Sequence, residues 1–336
     1  MTRPPTLPRD RGAALVTVLV MVAIIAALAI VVVDAAGFAL QRARNLAAMD
    51  QTRWYLRGAE AYAAARIETL LAAAPDGARL DEAQWQGKPF VFPLDDGAMT
   101  ITLWDAGNCF NLNSLVAAQE GGGAYFASAQ GQVLFARLLD LVGARGARDG
   151  ALAAAAADWI DSDSEPGVGG AEDSAYAAAG LAYRTANTLI GDVSELRRVR
   201  GMTAEIAAAL APFVCVRPTA SPNALNVNTL RADQAPLLAM TLSQDTSVAR
   251  AAEILRARPV GGWESVDAFF QDPRVAALNV SEATRALFTV QPNGYVLMAR
   301  VRRANSSEAC AVLLEGRNQV RPVRRICGLG AAERIL

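Results

Sequence analysis

The sequence predicts an α+β protein carried on one long N-terminal helix, with a small antiparallel sheet whose strands are split in sequence by a large α-helical insert. Three observations support that class. An apolar run from Ala13 to Val33 passes without a turn signal into more helix-forming chain. Short strand-like pieces occur between Phe90 and Asp105 and again after Tyr295, and the stretch between them is alanine-rich and reads as helix.

The first element is the N-terminal helix. A bilayer is crossed by about 20 apolar residues, and residues 13–33 supply them with Thr17 as the one polar member. Arg3, Arg9 and Arg11 precede the run, and a basic flank favours retention on the cytoplasmic side, which puts the rest of the chain across the membrane. Three readings apply: an uncleaved anchor, a secretory signal cut near Val33-Asp34-Ala35-Ala36, or a leader cut between Gly12 and Ala13. The apolar run is longer than the ordinary signal core of about 7 to 15 residues, which argues against the second. The third resembles a type IV pilin-like signal, in which a short basic leader ends in Gly and the apolar stretch stays as the first mature helix. The fifth mature residue of such chains is usually Glu; here it is Thr17.

From Asp34 to about Ala74, Ala, Leu, Arg, Gln and Glu dominate, and Gly37 and Gly58 are the weak points. The first breaker is Pro75-Asp76-Gly77. A helix over 13–74 would be about 90 Å long at 1.5 Å per residue. Its upper half carries Arg42, Arg44, Asp50, Arg53, Arg57, Glu60, Arg66 and Glu68 beside Ala, Leu, Trp54 and Tyr55, a pattern that packs on its own domain.

Phe90–Phe92 and Met99–Asp105 read as strands. Tyr295–Arg302, Ala309–Glu315 and Pro322–Cys327 form an antiparallel meander, separated by Asn305-Ser306-Ser307 and Gly316-Arg317-Asn318-Gln319. A helical block bounded by strands is most simply an insertion into one sheet domain, and long insertions close at little extra entropic cost. The expected organisation is therefore a leader over 1–12, the helix over 13–74, a sheet domain over 75–113 and 291–336, and an inserted helical domain over 114–290.

Composition narrows the function. The chain has 336 residues, 53% hydrophobic and 19% charged, with a formal net charge of −1, so it carries no electrostatic footprint for nucleic acid. It contains no histidine, which removes Ser-His-Asp and Cys-His catalysis and His-ligated zinc. Four cysteines behind an export signal read as two disulfides in an oxidising compartment. Of the three possible connectivities, Cys310–Cys327 is favoured because both lie equally far from the Asn318-Gln319 turn, leaving Cys109–Cys215.

An ordered set of segments resembles one family: the leader with Gly12; the long helix with Asp50-Gln51-Thr52-Arg53-Trp54-Tyr55-Leu56-Arg57-Gly58-Ala59-Glu60; Phe110-Asn111-Leu112-Asn113-Ser114-Leu115; Asp158-Trp159-Ile160-Asp161-Ser162-Asp163; Ser194-Glu195-Leu196 with Gly201-Met202-Thr203; and Asn226-Val227-Asn228-Thr229. They resemble the K-type minor pseudopilins of the type II secretion system (the GspK family), over almost the whole chain. Thr17 in place of Glu is what that family shows. The resemblance implies a small pseudopilin sheet and no enzymatic activity. It implies a place at the tip of a short periplasmic pseudopilus anchored in the inner membrane, with I-, J- and H-type minor pseudopilins and the major pseudopilin as partners and a prepilin peptidase as processing enzyme.

Asp158, Asp161, Asp163, Glu165, Glu172 and Asp173 crowd one stretch, and no Lys or Arg occurs between Arg148 and Arg184. Crowded carboxylates repel, so the cluster suggests a hard cation, and an all-protein oxygen cage suits calcium over magnesium. Positions 1, 3, 5 and 12 of an EF-hand count are acidic, yet Pro166 stands where that loop needs Gly. The family resemblance also implies calcium.

Two further segments, Leu196–Thr203 and Leu225–Leu230, look like the helix-hairpin-helix units of DNA-binding proteins, which makes a membrane-anchored DNA-uptake or type IV pilus component, using them on nucleic acid, the alternative function. Neutral charge and the lack of a wider basic stripe argue against it. Gly201 then only closes a tight turn, and Ser194 with Glu195, and Asn228 or Thr229, read as helix caps.

Overall fold

The computed structural model describes residues 11–74, 80–144, 149–278, 280–304, 306–316 and 319–328. Helix α1 (Arg11–Ala73) opens the chain, followed by β1 (Phe90–Leu94), β2 (Gly97–Asp105), β3 (Phe110–Asn111), β4 (Val116–Ala118) and β5 (Tyr125–Ala127). Next come α2 (Ala129–Leu141), α3 (Asp149–Asp158), α4 (Asp173–Ala178), α5 (Ala204–Leu210), β6 (Val214–Cys215) and β7 (Leu225–Asn226). Helices α6 (Ala235–Leu242), α7 (Val248–Arg256), α8 (Val266–Gln271), α9 (Pro273–Ala276) and α10 (Glu282–Arg285) lead to β8 (Phe288–Thr289), β9 (Tyr295–Arg303), β10 (Ser306–Glu315) and β11 (Arg321–Cys327).

Two compact units divide the chain, Met1–Tyr55 and Leu56–Leu336. In the first, most of the leader (1–10) lies outside the described residues. The most apolar 18-residue stretch of α1 has a mean hydropathy of 3.3 and buries nothing within the fold, so it is no core helix. Thr17 donates its hydroxyl to the Ala13 carbonyl at 2.8 Å, which satisfies the run's one polar side chain inside the helix, as a lipid environment demands.

In the second unit, Leu56, Ala59, Ala63, Ile67 and Leu70 form a buried stripe at helical spacing. This part of α1 crosses one face of the sheet. Tyr62 sets its ring edge-on to Phe92 of β1 at 4.9 Å, and at the other side Glu60 pairs with Arg325 while Glu68 accepts from the Val320 N–H. The sheet has five strands in the order β1-β2-β9-β10-β11. Asp105 stands opposite Tyr295 in the antiparallel β2·β9 pair, so the insert leaves and re-enters at one end of the sheet. Ser306 and Ser307, expected in a turn, pair with Arg303 and Arg302 and lengthen β10. Polar residues at the end of a long hairpin keep their ladder bonds, and turn composition alone does not register that.

The insert departs from a nearly all-helical expectation. Its helices are short, and three two-stranded pairs tie them together, of which β3·β6 and β7·β8 are parallel. Alanine sets a helical propensity of only tenths of a kcal/mol per residue, roughly, so tertiary pairing and the Gly/Pro-rich stretches override it. Phe110, Leu112, Leu115 and Val116 lie in the same hydrophobic core as Phe135, Ile160 and Phe269. The Phe110–Leu115 element thus belongs to the insert, and the boundary moves from 113/114 to the end of β2.

A buried polar seam fastens insert to sheet. Asp105 accepts from the Gly107 N–H, the Asn226 amide and the Thr229 hydroxyl at 2.8 Å each. Asn108 accepts from the Asn226 N–H and donates to Thr229. Arg217 donates to the Ala106 carbonyl and pairs with Glu315 at 2.8 Å. Burial pushes the Asp105 carboxyl up from its ordinary value, and these donors and Arg217 oppose that shift. Asn228 and Thr229 are therefore not caps: Asn228 is locked to both the N–H and the carbonyl of Trp263.

The structure joins Cys109 to Cys215 and Cys310 to Cys327, with Cα separations of 5.7 and 4.1 Å. The first bridge adjoins the β3·β6 pair and the second links register partners on β10 and β11.

Candidate metal centre

The loop between α3 and α4 is built around Asp158, the last residue of α3. Its buried carboxylate accepts from the Ala171 N–H at 2.7 Å and from the Gly167 N–H at 3.2 Å, folding the loop back over the helix end. Gly170 permits that approach, because a Cβ there would lie 1.9 Å from Asp158 Oδ2. Burial still outweighs those donors and raises the Asp158 carboxyl.

The fold brings three of the six expected acids together. One oxygen each from Asp161, Asp163 and Glu172 lies within 4.8 Å of the others. Asp161 and Glu172 are buried, and Asp161 Oδ1 and Glu172 Oε1 have no hydrogen-bond partner in the protein. The Asp161 carboxyl is pushed up to about 7, first by burial and then by the charges of Asp163, Asp158 and Glu172. Glu172 is also raised by burial, although the Thr185 hydroxyl donates to its other oxygen at 3.0 Å. Buried carboxylate oxygens without donors cost free energy unless a cation offsets their charge.

Of the other three acids, two serve the loop. Asp158 is engaged by backbone amides, Asp173 accepts from Thr185 N and Oγ1 at 3.0 and 2.9 Å, and Glu165 is exposed and outside the group. A residue not singled out from the sequence joins them. Asn187 donates to the Asp163 carbonyl at 2.7 Å, and its own Oδ1 is buried without a partner. Its φ of 47° is the one left-handed conformation of a non-glycine residue among the described residues. Such a backbone persists only where its surroundings hold it, and a lone Asn in a polar stretch gives no signal of that.

An aromatic floor underlies the loop: Trp159 meets Tyr176 edge-on at 5.7 Å, and Tyr176 leans on Tyr183 at 5.6 Å. Tyr176 Oη accepts from the Arg200 N–H and Tyr183 Oη donates to the Arg198 carbonyl.

Residues 108–219 and 225–291 match two family models, each described as type II secretion system (T2SS), protein K. A type II secretion system protein K from Klebsiella pneumoniae is 34% identical over 82% of this chain and 83% of its own length. One from Pectobacterium carotovorum subsp. carotovorum is 31% identical over 89% and 90%. The chain belongs to the type II secretion system protein K family. It is a minor pseudopilin of the K (GspK) type. A solved structure has the same fold: a chain of the GspK-GspI-GspJ complex from enterotoxigenic Escherichia coli, at a TM-score of 0.71 and 27% identity, over 85% of this chain and 99% of that one. These relatives are named as secretion-system components and not as enzymes.

In this K-type chain the hairpin-like segment is a structural brace. A 3₁₀ turn over Val193–Arg198 is capped by Asp192, which accepts from the Ser194 N–H while Glu195 accepts from the Asp192 N–H. The cap is thus Asp192, not Ser194, because the turn starts two residues earlier than composition implies. Gly201, at φ +88°, turns the chain into α5. The Arg200 and Met202 amides donate to Tyr176 Oη and the Val199 carbonyl, so they are engaged within the protein rather than presented to a phosphate.

Proposed function

We propose that this minor pseudopilin is cut between Gly12 and Ala13, remains anchored in the inner membrane by residues 13–33, and holds the rest of the chain in the periplasm. There it caps the pseudopilus tip and initiates assembly with I-, J- and H-type minor pseudopilins above the major pseudopilin. The observation that carries this reading is the likeness, over nearly the whole of the other chain, to a solved GspK-GspI-GspJ complex. A bulky insert at one end of the sheet suits a cap and would clash inside a packed filament. The test is copurification of the tagged full chain from detergent-solubilised membranes. I- and J-type partners are expected, with secretion lost when the chain is deleted; normal secretion without it would sink the proposal.

We also propose calcium in the loop between α3 and α4, held by Asp161, Asp163 and Glu172 with Asn187 completing the oxygen set. The unpartnered oxygens of Asp161, Glu172 and Asn187 support this. The ion would replace mutual carboxylate repulsion by attraction and stabilise the folded loop by mass action. Calorimetric titration of chelated full-length protein should show calcium binding that Asp161→Asn abolishes. Equal heats for the two proteins would refute the site.

A further inference from the structure

Phe90 and Phe92 of β1, which face α1, are register partners of Ile101 and Met99, so Ala98, Thr100, Thr102 and Trp104 of β2 lie on the opposite face of the sheet. That face bears a groove of about 660 Å³. Two arginines rise from its central strand: Arg300 of β9 sits between Thr100 and Ala309, and Arg302 between Ala98 and Ser307. Both are exposed, and among the described residues neither side chain has an ion pair or hydrogen bond. Asp96 and Asp192 are taken by other arginines, Arg303 and Arg324. The small side chains around the two guanidinium groups leave a trough, and its far end is apolar. There Met298 lies opposite Thr102, and Trp104 lies under the Arg231 guanidinium at 5.4 Å.

The spacing selects the occupant. Residues two apart on a strand stand about 6.8 Å apart, and residues four apart on a helix about 6 Å. A helix laid along β9 with carboxylates at i and i+4 meets both arginines, and a residue one turn further meets Met298 and Trp104. Helices are also what ordinarily covers a sheet face, as α1 does on the other side. We infer that this groove seats an acidic amphipathic helix of a partner protein, its paired carboxylates on Arg300 and Arg302 and an aliphatic residue against Met298 and Trp104. The inference deepens the assembly reading and rests on it only in requiring a partner in the same membrane.

Site-specific photocrosslinking tests it, with p-benzoylphenylalanine at exposed Ser307 in the full chain in its native membrane and sequencing of the crosslinked peptide. The expected adduct is a helix of another protein with two acidic residues four apart. Arg300→Glu with Arg302→Glu should lower its yield by about fivefold or more, with unchanged melting, and Lys at the two mapped acids should restore it. An adduct only to a second copy of this chain, only to lipid, or insensitive to the charge reversal overturns the inference. Copurification in the same membranes separates the two readings. If no other pseudopilin is retained, the assembly reading fails. Retained partners without the Ser307 adduct defeat only the groove assignment.

Discussion

Removing the Cys109–Cys215 bridge should cost more than removing Cys310–Cys327, and the sequence separations set the margin. The first pair closes a separation of 106 residues and the second one of 17. In the chain-entropy view, a cross-link stabilises by restricting the unfolded chain, which gives about 5 kcal/mol for the long loop and about 3 for the short one. For a unit of this size each kcal/mol moves the melting temperature by about 2–4 °C, so the paired alanine variants should lose about 10–20 °C and about 6–12 °C. The long bridge lies in a densely braced region. The Phe110 N–H donates to the Phe213 carbonyl, and Asn111 and Asn113 brace the chain at Thr219, Ser221, Arg217 and Ile190, all close to the long bridge. Alanine, not serine, is the right replacement because Cys109, Cys215 and Cys310 are buried, where unpaired hydroxyls would add their own penalty. Circular dichroism melts and urea titrations of Cys109→Ala/Cys215→Ala and Cys310→Ala/Cys327→Ala, on the full chain in detergent, read the difference. A hairpin variant as unstable as the long-loop variant, or more so, would refute the entropic argument.

Chelated protein should lose stability as pH rises from about 4 towards 7. The folded Asp161 carboxyl, at about 7, holds its proton where the unfolded one does not, so folding is favoured below that window and penalised above it. Saturating calcium should flatten or reverse the trend, and melting curves at stepped pH with and without the ion decide. Gly170→Ala should push Asp158 off the Ala171 amide and destabilise by about 1–3 kcal/mol, while Gly143→Ala, with open space around its Cβ, reports only the cost of a left-handed alanine. A loss below about 0.5 kcal/mol in Gly170→Ala would deny the Asp158 clamp. Gly12→Leu should leave the leader attached, so mass spectrometry finds Met1 rather than Ala13 at the terminus; a mature terminus at Asp34 or Ala36 would contradict pilin-like processing.

By itself the sequence determined whatever depends on local pattern. The apolar run with its basic flank, the helical stripe from Leu56 to Leu70 and the alternating strands on either side of the insert are all written in periods of 3.6 and 2. The acidic stretch was legible because nothing basic interrupts it. Tertiary structure decided which acids meet. Asp158 and Asp173 carry the same side chain as Asp161, but backbone amides and Thr185 engage their oxygens, while Asn187 arrives from the loop after α4. It also decided the role of Asn226 and Thr229, whose partners Asp105 and Asn108 lie far away in sequence. The hairpin bridge shows both at once. Equal distance from the turn points to Cys310 with Cys327, yet the inner pairs Leu314–Pro322 and Glu315–Arg321 alone would set Cys310 opposite Ile326. An irregularity between Leu313 and Leu314 leaves Val323 unpaired and shifts the register by one. Because a one-residue slip turns every side chain to the other face, the fold accepts the bulge that keeps Ile326 packed beside Ala311 and brings the sulfurs together.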